Sequence, residues 1–190
     1  QVPHFGNPQP RRLGIVAPPW LPVPPPAYGG SELVIDSLCR GLQALGHEVT
    51  LFTTGESTCP VGRAFLFERG DPDHIGSCVI ELRHVAAAYD ALDGLDIVHD
   101  HTLAGLFLSQ LHPVPVVTTN HGPFGDDLSD LYRRVRHRIP IIAISHDQAA
   151  RAPAEVLVDT VIHHGIDLDQ YPFSALGGES LVFLGRMSPD

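Results

Sequence analysis

The sequence predicts an α/β protein with a mostly parallel sheet and helices on both faces, and three observations carry that prediction. Short apolar runs alternate along the chain with stretches whose apolar residues recur at helical spacing. The short runs are apolar throughout rather than alternating with polar residues, the pattern of strands covered on both sides. Polar and glycine residues collect just after these runs, where an open α/β sheet binds its ligands.

Each element follows from its residues. The run at 13–17, LGIVA, reads as the first strand. Prolines at 18, 19, 22, 24, 25 and 26 make the next connection long and stiff, since each fixes its own φ and restricts its predecessor. Val34, Leu38, Leu42 and Leu45 then share one helix face, with Ser31 as N-cap and Gly46 as the C′ residue. Residues 48–53 (EVTLFT) are the second strand and 64–67 a weaker third. Val79, Leu82, Val85, Ala86, Tyr89 and Leu92 outline another helix, followed by a strand at 95–99 (LDIVH). Thr102 caps a short helix running to 110, and 114–119 is a strand. Leu128, Leu131, Tyr132, Val135 and Ile139 repeat at helical spacing before a strand at 140–144. Ser145 and Gln148 form a capping box, and strands at 160–163 and 181–184 close the chain. Residues 1–12 read as a flexible tail.

Composition narrows the class. With 190 residues and 43% hydrophobic content, the chain can bury one sizeable core. No apolar run approaches the ~18 residues a membrane span needs. A formal charge of −10 argues against nucleic acid, which asks for a basic face. Cys39, Cys59 and Cys78 are odd in number and lack Cys-x-x-Cys, so neither a disulfide framework nor structural zinc is indicated, and a reducing cytoplasm fits.

Six polar motifs fall at strand ends: Tyr28-Gly29-Gly30, Asp100-His101, Asn120-His121-Gly122, Ser145-His146, His163-His164-Gly165 and Gly185-Arg186. In a parallel sheet they converge on one rim. Gly29-Gly30 lies at the mouth of the first helix, where unpaired N–H groups and the helix dipole favour an anion such as phosphate. The alternative is a pair of glycines that only turns the chain. Neither the dinucleotide fingerprint nor a Walker loop is present. His121 is the best chemical candidate, because Gly122 and Pro123 fix the turn around an imidazole able to donate or accept near neutral pH. A histidine satisfied by loop carbonyls is the bland reading. His99 reads as structural and inward-packing. His99 and His101 share a strand face as a metal pair would, but a third ligand is lacking and Asp100 points the other way. The arginine run at 133–138 reads as a solvated helix face, with peripheral membrane contact as the alternative.

YGGSE, GHEVTLF, DIVHDHT, VVTTNHG, IAISH, VIHHGID and LVFLGRMSPD, in this order, resemble family-4 retaining glycosyltransferases of the GT-B fold. The resemblance implies that residues 13–177 are the acceptor-side Rossmann-like domain and 178–190 the start of a truncated donor-binding domain. It implies a hexosyltransferase-type enzyme taking a nucleotide-diphosphate sugar as donor and an unidentified acceptor, on the cytoplasmic side of a membrane or free in the cytoplasm. Gly29-Gly30 would approach the donor diphosphate, His121 would lie beside the transferred sugar, and Arg186 would neutralise the leaving diphosphate. Tyr28, His101, Asn120, Ser145 and His164 complete the candidate binding rim. No metal or other cofactor is expected, because cationic side chains and amide dipoles stabilise the departing group. The chain departs from the family where His163-His164 stand in place of Pro-Asn, and it stops before the usual Lys-Gly. The chain alone is expected to be inactive. A non-catalytic sugar- or nucleotide-binding module and a nucleotide-sugar epimerase are the alternatives.

Overall fold

The computed structural model describes residues 9–170, 174–176, 178–180 and 182–183. Seven strands form one all-parallel sheet: β1 (Arg12–Val16), β2 (Glu48–Thr53), β3 (Gly62–Phe65), β4 (Ile97–Asp100), β5 (Val116–Asn120), β6 (Ile141–Ala143) and β7 (Thr160–Val161). Their order is β3-β2-β1-β4-β5-β6-β7. The helices are α1 (Gly30–Ala44), α2 (Cys78–Ala91), α3 (Gly105–Leu108), α4 (Asp126–Val135) and α5 (His146–Arg151).

The chain winds from β1 toward β3 and then from β4 toward β7 in the opposite direction. Right-handed crossovers therefore put the two sets of connections on opposite faces. On one face α1 packs Ile35 and Cys39 against Ile15, Val49 and Leu51. On the other, α2 places Val85, Ala88 and Tyr89 against Val16, Phe52 and Val98, and α4 places Tyr132 and Val135 beside Leu106 and Ile141. Among the described core clusters α1 is the one helix on its face, so the sheet beyond it, over β4 to β6, lies open.

The elements expected up to the strand that starts at Thr160 are present, with boundaries shifted by local bonding. Arg12 belongs to β1 rather than to a tail: its N–H donates to Asp96 Oδ2 at 2.7 Å and its guanidinium to the Gly94 carbonyl at 2.6 Å. Gly29, not Ser31, is the N-cap of α1, and no side chain caps it. Gly46 has φ +88° just past the helix, as a C′ glycine should. Third-strand pairing covers 62–65 instead of 64–67, and β7 ends at Val161, leaving His163 and His164 in the following loop. The arginine run is not one helix face. Helix α4 ends at Val135, His137 has φ +69°, and Arg136 and Arg138 bond the Glu155 carbonyl and Gln110 side chain. Of the strand expected at 181–184, Val182 and Phe183 are exposed and belong to none of the strands among the described residues, while Leu181 and Leu184 lie outside the described residues.

The proline-rich loop is anchored rather than free. Val23 is fully buried in the α1-side core, its N–H donates to Ser57 Oγ, and its carbonyl accepts from Thr58 and Cys59. Among the described residues no helix is long and apolar enough to cross a membrane.

Candidate functional site

The carboxyl ends of β4 and β5 bring histidines together. His99 and His101 project from β4 and its edge, with rings stacked at 4.2 Å. His121 follows β5, and its Nε2 lies 2.8 Å from His101 Nδ1. The His164 ring, from the loop after β7, stands 5.4 Å from that of His121. His99 Nε2 pairs with Thr119 Oγ1 at 2.7 Å. These side chains line one end of a cavity of about 710 Å³ on the open sheet face, whose remaining walls are apolar residues such as Ile15, Leu38, Val117 and Ile142. His99 therefore joins the site it was expected to stand apart from.

Burial governs the charge state. Desolvation pushes His99 and His121 down to about 4 and His101 well below its ordinary value, with the neighbouring imidazoles adding repulsion at His101 and His121. His164 is lowered too, by desolvation and by His163. The cluster is neutral near pH 7. Several buried polar atoms here have no protein partner: His101 Nε2, His121 Nδ1 and Asn120 Nδ2. Asn120 Oδ1 is already used, accepting from the Gly122 N–H at 3.1 Å. Among the described residues no three His, Cys, Asp or Glu side chains are grouped to hold a metal ion.

The other expected residues divide. Ser145 is a helix cap, accepting from the Gln148 N–H at 3.0 Å, and does not line the cavity. Its partner Gln148 does more than a capping box asks. Its amide group accepts from Ile144 N–H and donates to the carbonyls of Asn120 and Gly122, so it ties the loop bearing His121 to the start of α5. A glutamine three residues past a cap signals a capping box, and that signal masked this role. Tyr28 is exposed, and neither it nor Gly29 and Gly30 line the histidine cavity. At Gly30 an added Cβ would meet nothing within 4 Å, whereas at Gly29 it would stand 2.6 Å from Pro25 Cβ. The buried carboxylate of Glu32 shares this helix start, with its pKa raised by desolvation and opposed by a bond from its own N–H. The Glu32 carboxylate thus takes up its own first-turn N–H at the helix start where the phosphate was expected. Arg186 lies outside the described residues.

His84 carried no signal of its own in the sequence. It is buried between Phe52 and Phe67, and its Nε2 donates to the Ala17 carbonyl at 2.9 Å, closing the end of β1. Burial lowers it to about 4.

A doubly wound parallel sheet with a cavity at its carboxyl rim is the architecture in which open α/β proteins hold their ligands. The chain belongs to Glycosyltransferase Family 4, whose model matches residues 28–170. Its fold is the Rossmann-like unit of GT-B glycosyltransferases. It is similar to the crystal structure of AviGT4, a glycosyltransferase involved in avilamycin A biosynthesis, with 23% identity, TM-score 0.57, and 86% of this chain aligned to 44% of that one. A glycosyltransferase from Rickettsia africae aligns at 13% identity and TM-score 0.56, over 85% of this chain and 45% of that one. A sucrose-phosphate synthase structure from Thermosynechococcus elongatus aligns at 12% identity and TM-score 0.54, over 83% of this chain and 90% of that one. The chain thus spans less than half the length of the first two, and the likeness is one of fold. No curated protein matches it significantly.

Proposed function

We propose that this chain is the acceptor-side, N-terminal part of a retaining glycosyltransferase of hexosyltransferase type. The enzyme moves a sugar from a nucleotide-diphosphate donor to an acceptor and works without a metal, in the cytoplasm or at the cytoplasmic face of a membrane. The observation that carries the reading is the family match over residues 28–170, which spans the cavity where His101, His121 and His164 meet. His121 lines the cavity and has a neighbour that orients it, which suits a group that contacts the transferred sugar. Gly30 leaves its side of the α1 start open, so a diphosphate could approach the first-turn amides there. Arg186 would supply the cationic partner for the leaving diphosphate.

The test is sugar transfer by the intact protein that contains this chain, with a panel of radiolabelled nucleotide sugars, with and without a chelator. Transfer with retained anomeric configuration and no loss on chelation is expected, and the 190-residue chain alone should show none. Inverted product, or activity abolished by the chelator, would overturn the mechanism. Nucleotide-sugar binding by the intact protein with no transfer to any acceptor would instead favour the non-catalytic module.

A further inference from the structure

Gln148 stands three residues past the cap Ser145, where a capping-box side chain would reach back to the N–H of the cap residue itself. It bonds elsewhere. Its Oε1 accepts from the N–H of Ile144, just past β6, at 2.7 Å. Its Nε2 donates to the Asn120 carbonyl at the end of β5, at 3.0 Å, and to the Gly122 carbonyl beyond it. One N–H on one side and two carbonyls on the other fix which end of the amide is oxygen, because the reversed group would face like against like at all three places. Both amide hydrogens are thereby used, and the side chain is buried.

The two carbonyls bracket His121. That of Asn120 belongs to the peptide leading into His121, and that of Gly122 to the peptide joining Gly122 to Pro123. From within, the turn is closed by the Gly122 N–H on Asn120 Oδ1 at 3.1 Å. From outside, the amide spans the step between two paired strand ends, since Asn120 lies opposite Ala143. The backbone is thus held on either side of the residue whose ring meets His101 at 2.8 Å and lines the cavity.

We infer that Gln148 is a positioning residue that sets the place of His121 in the cavity by holding the peptides on either side of it. It touches no substrate itself, for it does not line the cavity and both its hydrogens are taken. Its effect on transfer rests on the proposed transferase reading, whereas its hold on the turn is a property of the chain itself. Two substitutions separate its bonds. Gln148→Leu loses all three. In Gln148→Glu the ionised carboxylate keeps the bond from Ile144 but turns only lone pairs toward the two carbonyls, and on protonation it regains one donor.

The experiment measures transfer kinetics and hydrogen exchange in the intact protein that contains this chain. At about pH 8 both variants should lose about ten-fold or more in kcat with donor KM little changed, the pattern of a displaced transition-state contact. The kcat of Gln148→Glu relative to wild type should climb as pH is lowered toward 6, while that of Gln148→Leu stays flat. Hydrogen exchange at the Gly122 amide should speed up in both. Val156→Ala truncates a buried residue of the α4 core cluster, and as the control for lost stability it should change neither kcat nor that exchange. Near-normal kcat in folded Gln148→Glu overturns the inference, as does a flat pH ratio or an equal loss in Val156→Ala. Should Gln148→Leu not fold, Gln148→Glu decides alone. Absence of transfer by the intact protein would sink the function reading, and unchanged Gly122 exchange in Gln148→Glu would then overturn the positioning role.

Discussion

Asp100 and His101 are consecutive residues that serve opposite faces of the sheet. The Asp100 carboxylate, fully buried on the α2 side, accepts from the Tyr89 hydroxyl at 2.9 Å and from the Thr102 N–H and hydroxyl at 2.7 Å each. His101 turns to the α1 side and joins His99 and His121 at the cavity. Alternation along an extended backbone produces this split. One dipeptide thus anchors the loop and helix that follow β4 while building the site behind it.

That anchoring makes Gly105 sensitive. A Cβ there would overlap the Asp100 carboxylate, which its three bonds hold in place. Gly105→Ala should cost about 2–4 kcal/mol, read by urea denaturation. Gly41, inside α1, has nothing within 4 Å of an added Cβ. Gly41→Ala should be neutral or stabilise by about 0.5–1 kcal/mol. Equal effects at the two positions would contradict the packing described.

The adjacent glycines at the start of α1 should behave differently. Gly29→Ala forces a contact with Pro25 and should lower the thermal midpoint, at a cost of about 1–3 kcal/mol. Gly30→Val has free space and should fold normally. In the intact enzyme it should raise the donor KM, because the side chain fills the approach to the helix amides. Unchanged donor KM in Gly30→Val would leave the glycine pair with a turn role only.

His121→Ala in the intact enzyme should lower kcat by about 10²-fold with a modest change in KM, the pattern of a lost transition-state contact. Circular dichroism and the thermal midpoint serve as folding controls. Near-normal kinetics in a folded variant would make His121 structural.

Stability should fall as pH drops from 7 to 5. His84, His99 and His121 have folded pKa values near 4 against an unfolded value of 6.5, so the unfolded chain binds more protons across this window. Their contribution is complete above pH 6.5 and is lost as pH falls toward 4. His84 alone should account for about 2 kcal/mol between pH 7 and 5. Asp100 acts the other way: burial raises it to about 6, so acid relieves its buried charge and offsets part of the loss. Denaturant midpoints across this range, compared with His84→Gln, should show a flatter slope in the variant. An equal slope would remove His84 from the account.

The strands, the helices and their alternation were legible in the sequence because they rest on local hydrophobic period and turn residues. LGIVA and VPVVTT are apolar on both faces, and Val34, Leu38 and Leu42 keep a helical stripe; no distant contact is needed to read them. The gathering of His101, His121 and His164 at one rim followed in turn, since parallel strands bring their carboxyl ends together. Element ends were less legible. Ser31 has the chemistry of an N-cap, yet the chain enters α1 through Gly29 because the anchored proline loop sets the approach.

What the sequence determined by itself was the fold class, the direction of the sheet and the convergence of His101, His121 and His164 on one rim, because all three follow from patterns within a few residues of one another. Only the tertiary structure decided the partnerships: His84 with the Ala17 carbonyl 67 residues away, Gln148 with the carbonyls of Asn120 and Gly122, and one shared proton between His101 and His121. Sequence spacing carries no information about such pairs. They depend on which strands become neighbours, on the face to which each side chain is turned, and on how completely burial strips water from the groups that meet there.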